Sequence, residues 1–262
     1  MTVHFIGAGP GNPELLTLRA QNLISSSPVC LYAGSLIPSE VINLCPQNAK
    51  IINTAKLNLD QIIHEIVQAN NEGNDVSRLH SGDLSIWSAM GEQIQRIKNK
   101  GIEISVTPGI PAFSAAAASL EKELTLPYLS QSVVLTRISG RASTVPESEN
   151  LENFAKTKAV LAIHLSVNRL YEIVENLLPY YGRTCPAAIV WRASWPDEKI
   201  VLGDLNKFKD FKIGKDDRGA IIFVGKTLGE KKVLESSLYS KDYDRRFRPI
   251  GVNPRFPNEG SK

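Results

Sequence analysis

Residues 3–16 read VHFIGAGPGNPELL, a β-forming run that ends in closely spaced glycines and leads into a helical pattern. A strand, a Gly-x-Gly turn and a helix in this order are typical of the first unit of a parallel α/β sheet. Such sheets bind ligands at the carboxyl ends of their strands, where Gly7, Gly9 and Gly11 lie. Two interpretations of the loop stay open at this point. It binds a ligand, or it is a tight turn with Pro13 in the first helical turn.

The same loop is a poor match to a dinucleotide-binding site. The full fingerprint has a third glycine where this chain has Asn12, and an acid ending the second strand, where CLYAGS (30–35) has none. Pro10 also removes a backbone N–H that a pyrophosphate would use. A nicotinamide-dependent oxidoreductase is therefore disfavoured. The sequence also contains no G-x-x-x-x-G-K-[ST] run, which disfavours a P-loop nucleotidase.

Strand-like and helix-like stretches alternate through the first half of the chain. The second half is richer in strands, with five strand-like runs and one clear helix at 167–182. We therefore predict an α/β protein with a mainly parallel N-terminal domain and a mixed-sheet C-terminal domain that contains antiparallel pairs. The predicted bounds are 1–112 and 113–251, followed by a flexible tail over 252–262.

Composition excludes several classes of protein. Hydrophobic residues make up 42% and charged residues 22% of the 262 residues, as in ordinary globular proteins. The formal net charge of +3 is too small for a dedicated nucleic-acid binder. Three cysteines without CxxC spacing indicate neither a metal site nor a disulfide framework. No apolar run approaches the roughly 20 residues of a membrane span, so we expect a cytoplasmic protein.

Two further loops resemble the first in character. Ser81, Gly82 and Asp83 follow the fourth strand-like run, and TPGIP (107–111) follows the fifth and opens an Ala-rich helix. In a parallel sheet these loops share one edge with the first, which predicts a ligand site there. Asp83 is either a carboxylate that meets a ligand or the N-cap of the next helix.

Five motifs together give a specific resemblance. In chain order they are GAGPGNPELLTLRA (7–20), YAGSLIP (32–38), LHSGDLSIWSAMGEQ (79–93), TPGIPAFSAAAASLEKELTLP (107–127) and LTRISGRASTVPE (135–147). The chain resembles the tetrapyrrole (corrin and porphyrin) methyltransferases from residue 3 to about residue 250. Within that family it is most similar to the precorrin-4 C11-methyltransferases of cobalamin biosynthesis.

The resemblance implies a homodimer that uses S-adenosylmethionine, yields S-adenosylhomocysteine and acts on a tetrapyrrole. The implied cofactor contacts are Pro10, Ser81, Gly82, Asp83, Ile86, Pro111, Ala112, His164, Ala193, Ala220 and Ile221. Gly11 is predicted to contact the substrate. His164 has an alternative interpretation as an ordinary strand histidine.

The substrate carries many carboxylates, so arginine side chains are its expected partners. Arg137 and Arg141 are the candidates, and the alternative is a solvated loop with surface arginines. No residue is assigned as the catalytic proton acceptor. The alternative functions are another precorrin or uroporphyrinogen C-methyltransferase, methylation of a protein or rRNA, the oxidoreductase, and a non-catalytic tetrapyrrole-binding protein.

Overall fold

A computed structural model describes residues 1–140, 143–214 and 219–230. The strands in these residues are β1 (Thr2–Gly7), β2 (Val29–Tyr32), β3 (Lys50–Asn53), β4 (Val76–His80), β5 (Glu103–Thr107), β6 (Val133–Thr136), β7 (Val160–Ile163), β8 (Pro186–Trp191), β9 (Lys199–Asp204) and β10 (Ala220–Val224). The α-helices are α1 (Leu18–Ser26), α2 (Ser39–Ile42), α3 (Leu59–Asn71), α4 (Met90–Lys98), α5 (Ala112–Ser119), α6 (Leu151–Lys156) and α7 (Leu170–Tyr181).

The first sheet is parallel, with strand order β3-β2-β4-β1-β5. Its central strands are buried on both faces, which explains their near-continuous apolar sequences. Helices α3 and α4 cover one face, and α1 covers the other. All parallel strands end at one edge, so the loops after β1, β4 and β5 lie together there.

The second sheet is mixed, with strand order β6-β7-β10-β8-β9. Among its described strands, β6 and β7 pair in parallel, whereas β10 is antiparallel to β7 and β8, and β8 is antiparallel to β9. Helix α7 packs on one face of this sheet, and the alanines of α5 pack on the other. The predicted α/β class, with a mainly parallel first sheet and a mixed second sheet, is confirmed.

Some element bounds differ from the predictions. The helical pattern that follows the first glycine loop is divided into a short 3-10 turn at Pro13–Leu15 and α1, because the Thr17 side chain caps α1 by accepting from the Ala20 N–H. The short helices α2 and α6 had no clear periodic pattern and were not predicted. The boundary at 112/113 stays a prediction, and the predicted tail lies outside the described residues.

No helix among the described residues is long and apolar enough to cross a membrane. In the same residues, no three His, Cys, Asp or Glu side chains are grouped as a metal ion would require.

Candidate ligand cleft at the edge of the parallel sheet

The loops after β1 and β4 pair with each other at the carboxyl edge of the first sheet. The Ala8 N–H donates to the His80 carbonyl over 2.7 Å. Beyond the strands, Gly9 and Gly82 exchange two backbone hydrogen bonds, of 3.2 Å and 2.7 Å. The two glycine loops therefore form one continuous surface.

The loop after β5 lies so close to the other two that glycine is required. A Cβ on Gly7 would lie 2.5 Å from the Gly109 nitrogen. A Cβ on Gly109 would overlap the Gly82 carbonyl oxygen. Contacts this short exclude any side chain, so these glycines bring three backbones together at one point.

Asp83 connects two of these loops. Its Oδ2 accepts from the Gly109 N–H over 2.8 Å, and its Oδ1 accepts from the Ser85 N–H over 2.9 Å and from the Ser85 hydroxyl. Burial opposes its ionisation, but the hydrogen bonds from Ser85, Gly109 and the Leu84 N–H outweigh burial and hold its pKa below the usual range. The N-cap interpretation of Asp83 is wrong, since α4 begins at Met90 and is preceded by Ala89.

These loops form one wall of a cleft of about 300 Å³, and residues of the second sheet form the opposite wall. All eleven residues implied as cofactor contacts line this cleft: Pro10, Ser81, Gly82, Asp83, Ile86, Pro111, Ala112, His164, Ala193, Ala220 and Ile221. Residues from six separate stretches of sequence thus meet at one place.

Two of the three predicted substrate contacts, Gly11 and Arg137, lie outside this cleft. Gly11 packs against the Trp195 indole, and a Cβ there would overlap that ring. The Arg137 guanidinium donates to the Ser143 hydroxyl over 2.7 Å and to the Ser143 and Thr144 carbonyls, so it is occupied within its own loop. Arg141 lies outside the described residues. Neither Gly11 nor Arg137 lines the cleft.

Two buried histidine nitrogens in the cleft lack partners. The Nε2 atoms of His80 and His164 have no hydrogen-bond partner among the described residues. Burial, reinforced by the charge of Arg78, lowers the pKa of His80 to about 3, and burial lowers the pKa of His164 to about 4. Both rings are therefore uncharged at neutral pH and can exchange hydrogen bonds with a bound ligand.

His80 was missed because it stands one residue before the predicted loop. Its strand neighbour Arg78 is buried and donates to the Gln93 Oε1 over 3.0 Å and the Thr54 hydroxyl over 3.1 Å. The motif LHSGD contained both the histidine and the loop, but sequence alone does not show which side chains at the end of a strand face a cleft.

Apolar and basic side chains also line the cleft without having been predicted. Trp87 and Leu165 are exposed, and both have φ near +50°. Arg192 has φ +48°. Non-glycine residues in the left-handed region are uncommon and cluster at ligand sites, where surrounding contacts maintain the strain.

The two walls of the cleft are joined by Trp195. Its Nε1 donates to the Pro10 carbonyl over 2.8 Å, and the Asn12 N–H donates to the Ser194 hydroxyl over 3.1 Å. The Glu198 carboxylate accepts from the Ser194 N–H over 2.6 Å, which fixes the loop that carries the tryptophan. These contacts set the width of the cleft between the two sheets.

The fold and the cleft define a two-sheet α/β protein with a cleft between its sheets. The chain matches the family described as Tetrapyrrole (Corrin/Porphyrin) Methylases over residues 2–209. It is 53% identical to a precorrin-4 C(11)-methyltransferase from Sinorhizobium sp, over 96% of this chain and 100% of that protein. The chain therefore belongs to the tetrapyrrole methylase family.

Solved structures agree with this assignment. The X-ray structure of cobalt precorrin-4 methyltransferase, a cobalamin biosynthetic enzyme, superposes with a TM-score of 0.84 at 34% identity, covering 87% of this chain and 96% of that one. A uroporphyrin-III C-methyltransferase from Thermus thermophilus, complexed with S-adenyl homocysteine, superposes with a TM-score of 0.73 at 26% identity, covering 87% of this chain and 99% of that one.

Proposed function

We propose that this protein is an S-adenosylmethionine-dependent methyltransferase that methylates precorrin-4 or cobalt-precorrin-4 at C11 in cobalamin biosynthesis. The observation that carries the proposal is the convergence of all eleven implied cofactor contacts on one cleft. The 53% identity to a precorrin-4 C(11)-methyltransferase along the whole of that protein supports this choice of substrate.

The residues of the cleft fit S-adenosylmethionine. Gly82, Ala112 and Ala220 have little or no side chain, which leaves room for a nucleoside and a thioether. The unpartnered Nε2 atoms of His80 and His164 match a ligand rich in N–H and O–H groups. When bound, this cofactor supplies an activated methyl group on a sulfonium.

The contribution of the chain to such a reaction is mainly positioning. Tetrapyrrole precursors are electron-rich carbon nucleophiles, so alignment of the two reactants matters more than a strong acid or base. Holding two reactants in a reactive geometry contributes about 7 to 11 kcal/mol. The hydrogen-bonded glycine loops and the Trp195 contact hold the two walls that position the reactants. Trp87 and Leu165 provide an apolar border to the cleft that excludes water.

The alternative functions explain fewer features of the cleft. A dinucleotide oxidoreductase would use backbone donors at the first loop, where Pro10 has none. A non-catalytic tetrapyrrole-binding protein needs no pocket of small residues for a methyl donor. A neighbouring precorrin or uroporphyrinogen methyltransferase would share the cleft and differ only in the ring carbon that receives the methyl group.

The proposal includes a homodimeric state, a cytoplasmic location and two domains divided at 112/113. The first two rest on the resemblance to the family, and the domain boundary rests on the change in sequence pattern. Sedimentation of the purified protein tests the oligomeric state independently of activity.

A product assay tests the proposed reaction. Precorrin-4 and cobalt-precorrin-4 are offered separately with S-adenosylmethionine carrying a ¹³C methyl group, and products are analysed by mass and carbon NMR. We expect at least one substrate to gain a single labelled methyl group at C11. A label on another ring carbon would assign a neighbouring reaction, and no product from either substrate would contradict the proposal.

A further inference from the structure

Among the described residues of the cleft, only one carries the positive charge that a polycarboxylate ligand needs. Among the described residues that line it, Arg192 is the only lysine or arginine. His80 is buried, His164 is half-buried with a buried Nε2, and both are uncharged at neutral pH. Arg137, the arginine expected from sequence, is bound within its own loop.

The Arg192 side chain is held with its outer nitrogens free of described partners. Its guanidinium carbon lies 3.8 Å from the centroid of the Trp195 ring, and its Nε donates to Asp197 Oδ1 over 2.7 Å. No described residue accepts a hydrogen bond from its two terminal nitrogens, and 35% of the side chain is exposed. A stacked guanidinium whose two terminal nitrogens form a free N–H edge can bind a carboxylate in bidentate geometry.

The backbone that carries Arg192 is fixed in an unusual conformation. Arg192 and Ser194 have φ of +48° and +68°. The Arg192 N–H donates to the Gly219 carbonyl over 3.2 Å, and the Arg192 carbonyl accepts from the Trp195 N–H over 2.9 Å. Strain of this kind persists only where contacts maintain it, so the orientation of Arg192 is set before any ligand binds.

We propose that Arg192 binds a carboxylate of the tetrapyrrole substrate and so helps to select a polycarboxylate ring and to orient it in the cleft. This inference rests on the proposed function. The half-exposed position of Arg192 favours a carboxylate of the substrate as its partner. The amino-acid carboxylate of the cofactor is the other group with the same chemistry. Asp197 and Trp195 position the guanidinium.

Binding of uroporphyrin III, a stable ring with acetate and propionate side chains, tests the proposal without turnover. Arg192→Met keeps an unbranched apolar stem and removes the charge, and Arg192→Lys keeps the charge without the planar fork. We expect uroporphyrin III to bind Arg192→Met at least about tenfold more weakly than wild type, with partial recovery in Arg192→Lys. The methyl ester of uroporphyrin III, whose carboxylates are blocked, should bind wild type and both variants with the same affinity.

The matched control is Arg96→Met, because Arg96 of α4 is ion-paired with Asp60 of α3 and Glu92 of α4 and does not line the cleft. It should bind uroporphyrin III as wild type does. Calorimetry with S-adenosylhomocysteine separates the two sources of carboxylate. A loss confined to S-adenosylhomocysteine affinity would overturn the proposal, as would unchanged affinity for uroporphyrin III.

Kinetics separate this inference from the proposed function. If wild type methylates precorrin-4, Arg192→Met should raise KM for the tetrapyrrole by a similar factor, with the thermal midpoint unchanged. Wild-type turnover with an unaltered KM in Arg192→Met would refute the role of Arg192 alone. Absence of wild-type turnover would instead refute the proposed function.

Discussion

His80 and His164 show how burial sets the chemistry of single residues in this cleft. Each ring loses solvation in the folded chain, which disfavours the charged form. His164 also lies among aromatic rings, with centroids 5.0 Å from Trp87 and 6.5 Å from Phe113. A neutral ring suits a cleft that already contains the Arg192 charge, since two imidazolium groups would add positive charges that lack described carboxylate partners.

The same burial makes stability depend on pH. The folded-state pKa values, about 3 for His80 and about 4 for His164, lie below the unfolded value of 6.5. The unfolded chain therefore binds more protons below pH 6.5, and stability falls as the pH decreases from 6.5 towards 4. Each histidine contributes a slope of up to about 1.4 kcal/mol per pH unit.

Urea unfolding at several pH values measures this slope. His164→Phe should reduce the loss of stability between pH 6.5 and 4 relative to wild type. His64→Phe, at an exposed position of α3, is the control and should leave the slope unchanged. Parallel pH profiles for wild type and His164→Phe would show that burial does not hold His164 neutral.

At the scale of elements, the cleft depends on three strand–loop units that meet without side chains between them. Gly7, Gly82 and Gly109 come from different units, and their backbones touch. Asp83 adds a side-chain link between two of the same loops. Packing of this density has no room for a methyl group, so a substitution at the contact point must displace a whole loop.

A matched pair of glycine variants tests this contact. Gly109→Ala places a Cβ against the Gly82 carbonyl and should lower the free energy of unfolding by about 1 to 3 kcal/mol. Gly91→Ala, at an open and exposed position inside α4, should raise it by about 0.5 to 1 kcal/mol. Equal stability of Gly109→Ala and wild type in urea unfolding would contradict the close approach of the loops.

Elements with a clear local pattern of residues could be predicted from the sequence. All five strands of the second half were predicted from apolar runs, and the three loops of the first sheet from glycines after strands. Trp195 was not predicted, because its indole contacts Pro10 across 185 positions of sequence and no local pattern indicates that contact. Arg137 was predicted to bind a carboxylate of the substrate. Only the folded loop shows that its guanidinium already donates to Ser143.

For the whole molecule, the central feature is a cleft made by two sheets rather than by one. The parallel sheet supplies glycine loops, and the mixed sheet supplies His164, Ala193 and Ala220. The contacts around Trp195 hold the two walls at a fixed separation. A ligand bound between the sheets therefore touches both of them, and a bulky side chain on either wall should exclude it.

Titration of S-adenosylhomocysteine by calorimetry tests this account most directly. Ala112→Trp fills the cleft from the start of α5, whereas Ala118→Trp places the same side chain at an exposed position of the same helix. We expect wild type and Ala118→Trp to bind with similar micromolar affinity and Ala112→Trp to bind at least about tenfold more weakly, a difference of about 1.4 kcal/mol. No binding by wild type, or equal affinity in all three proteins, would contradict the assignment of this cleft as the methyl-donor site.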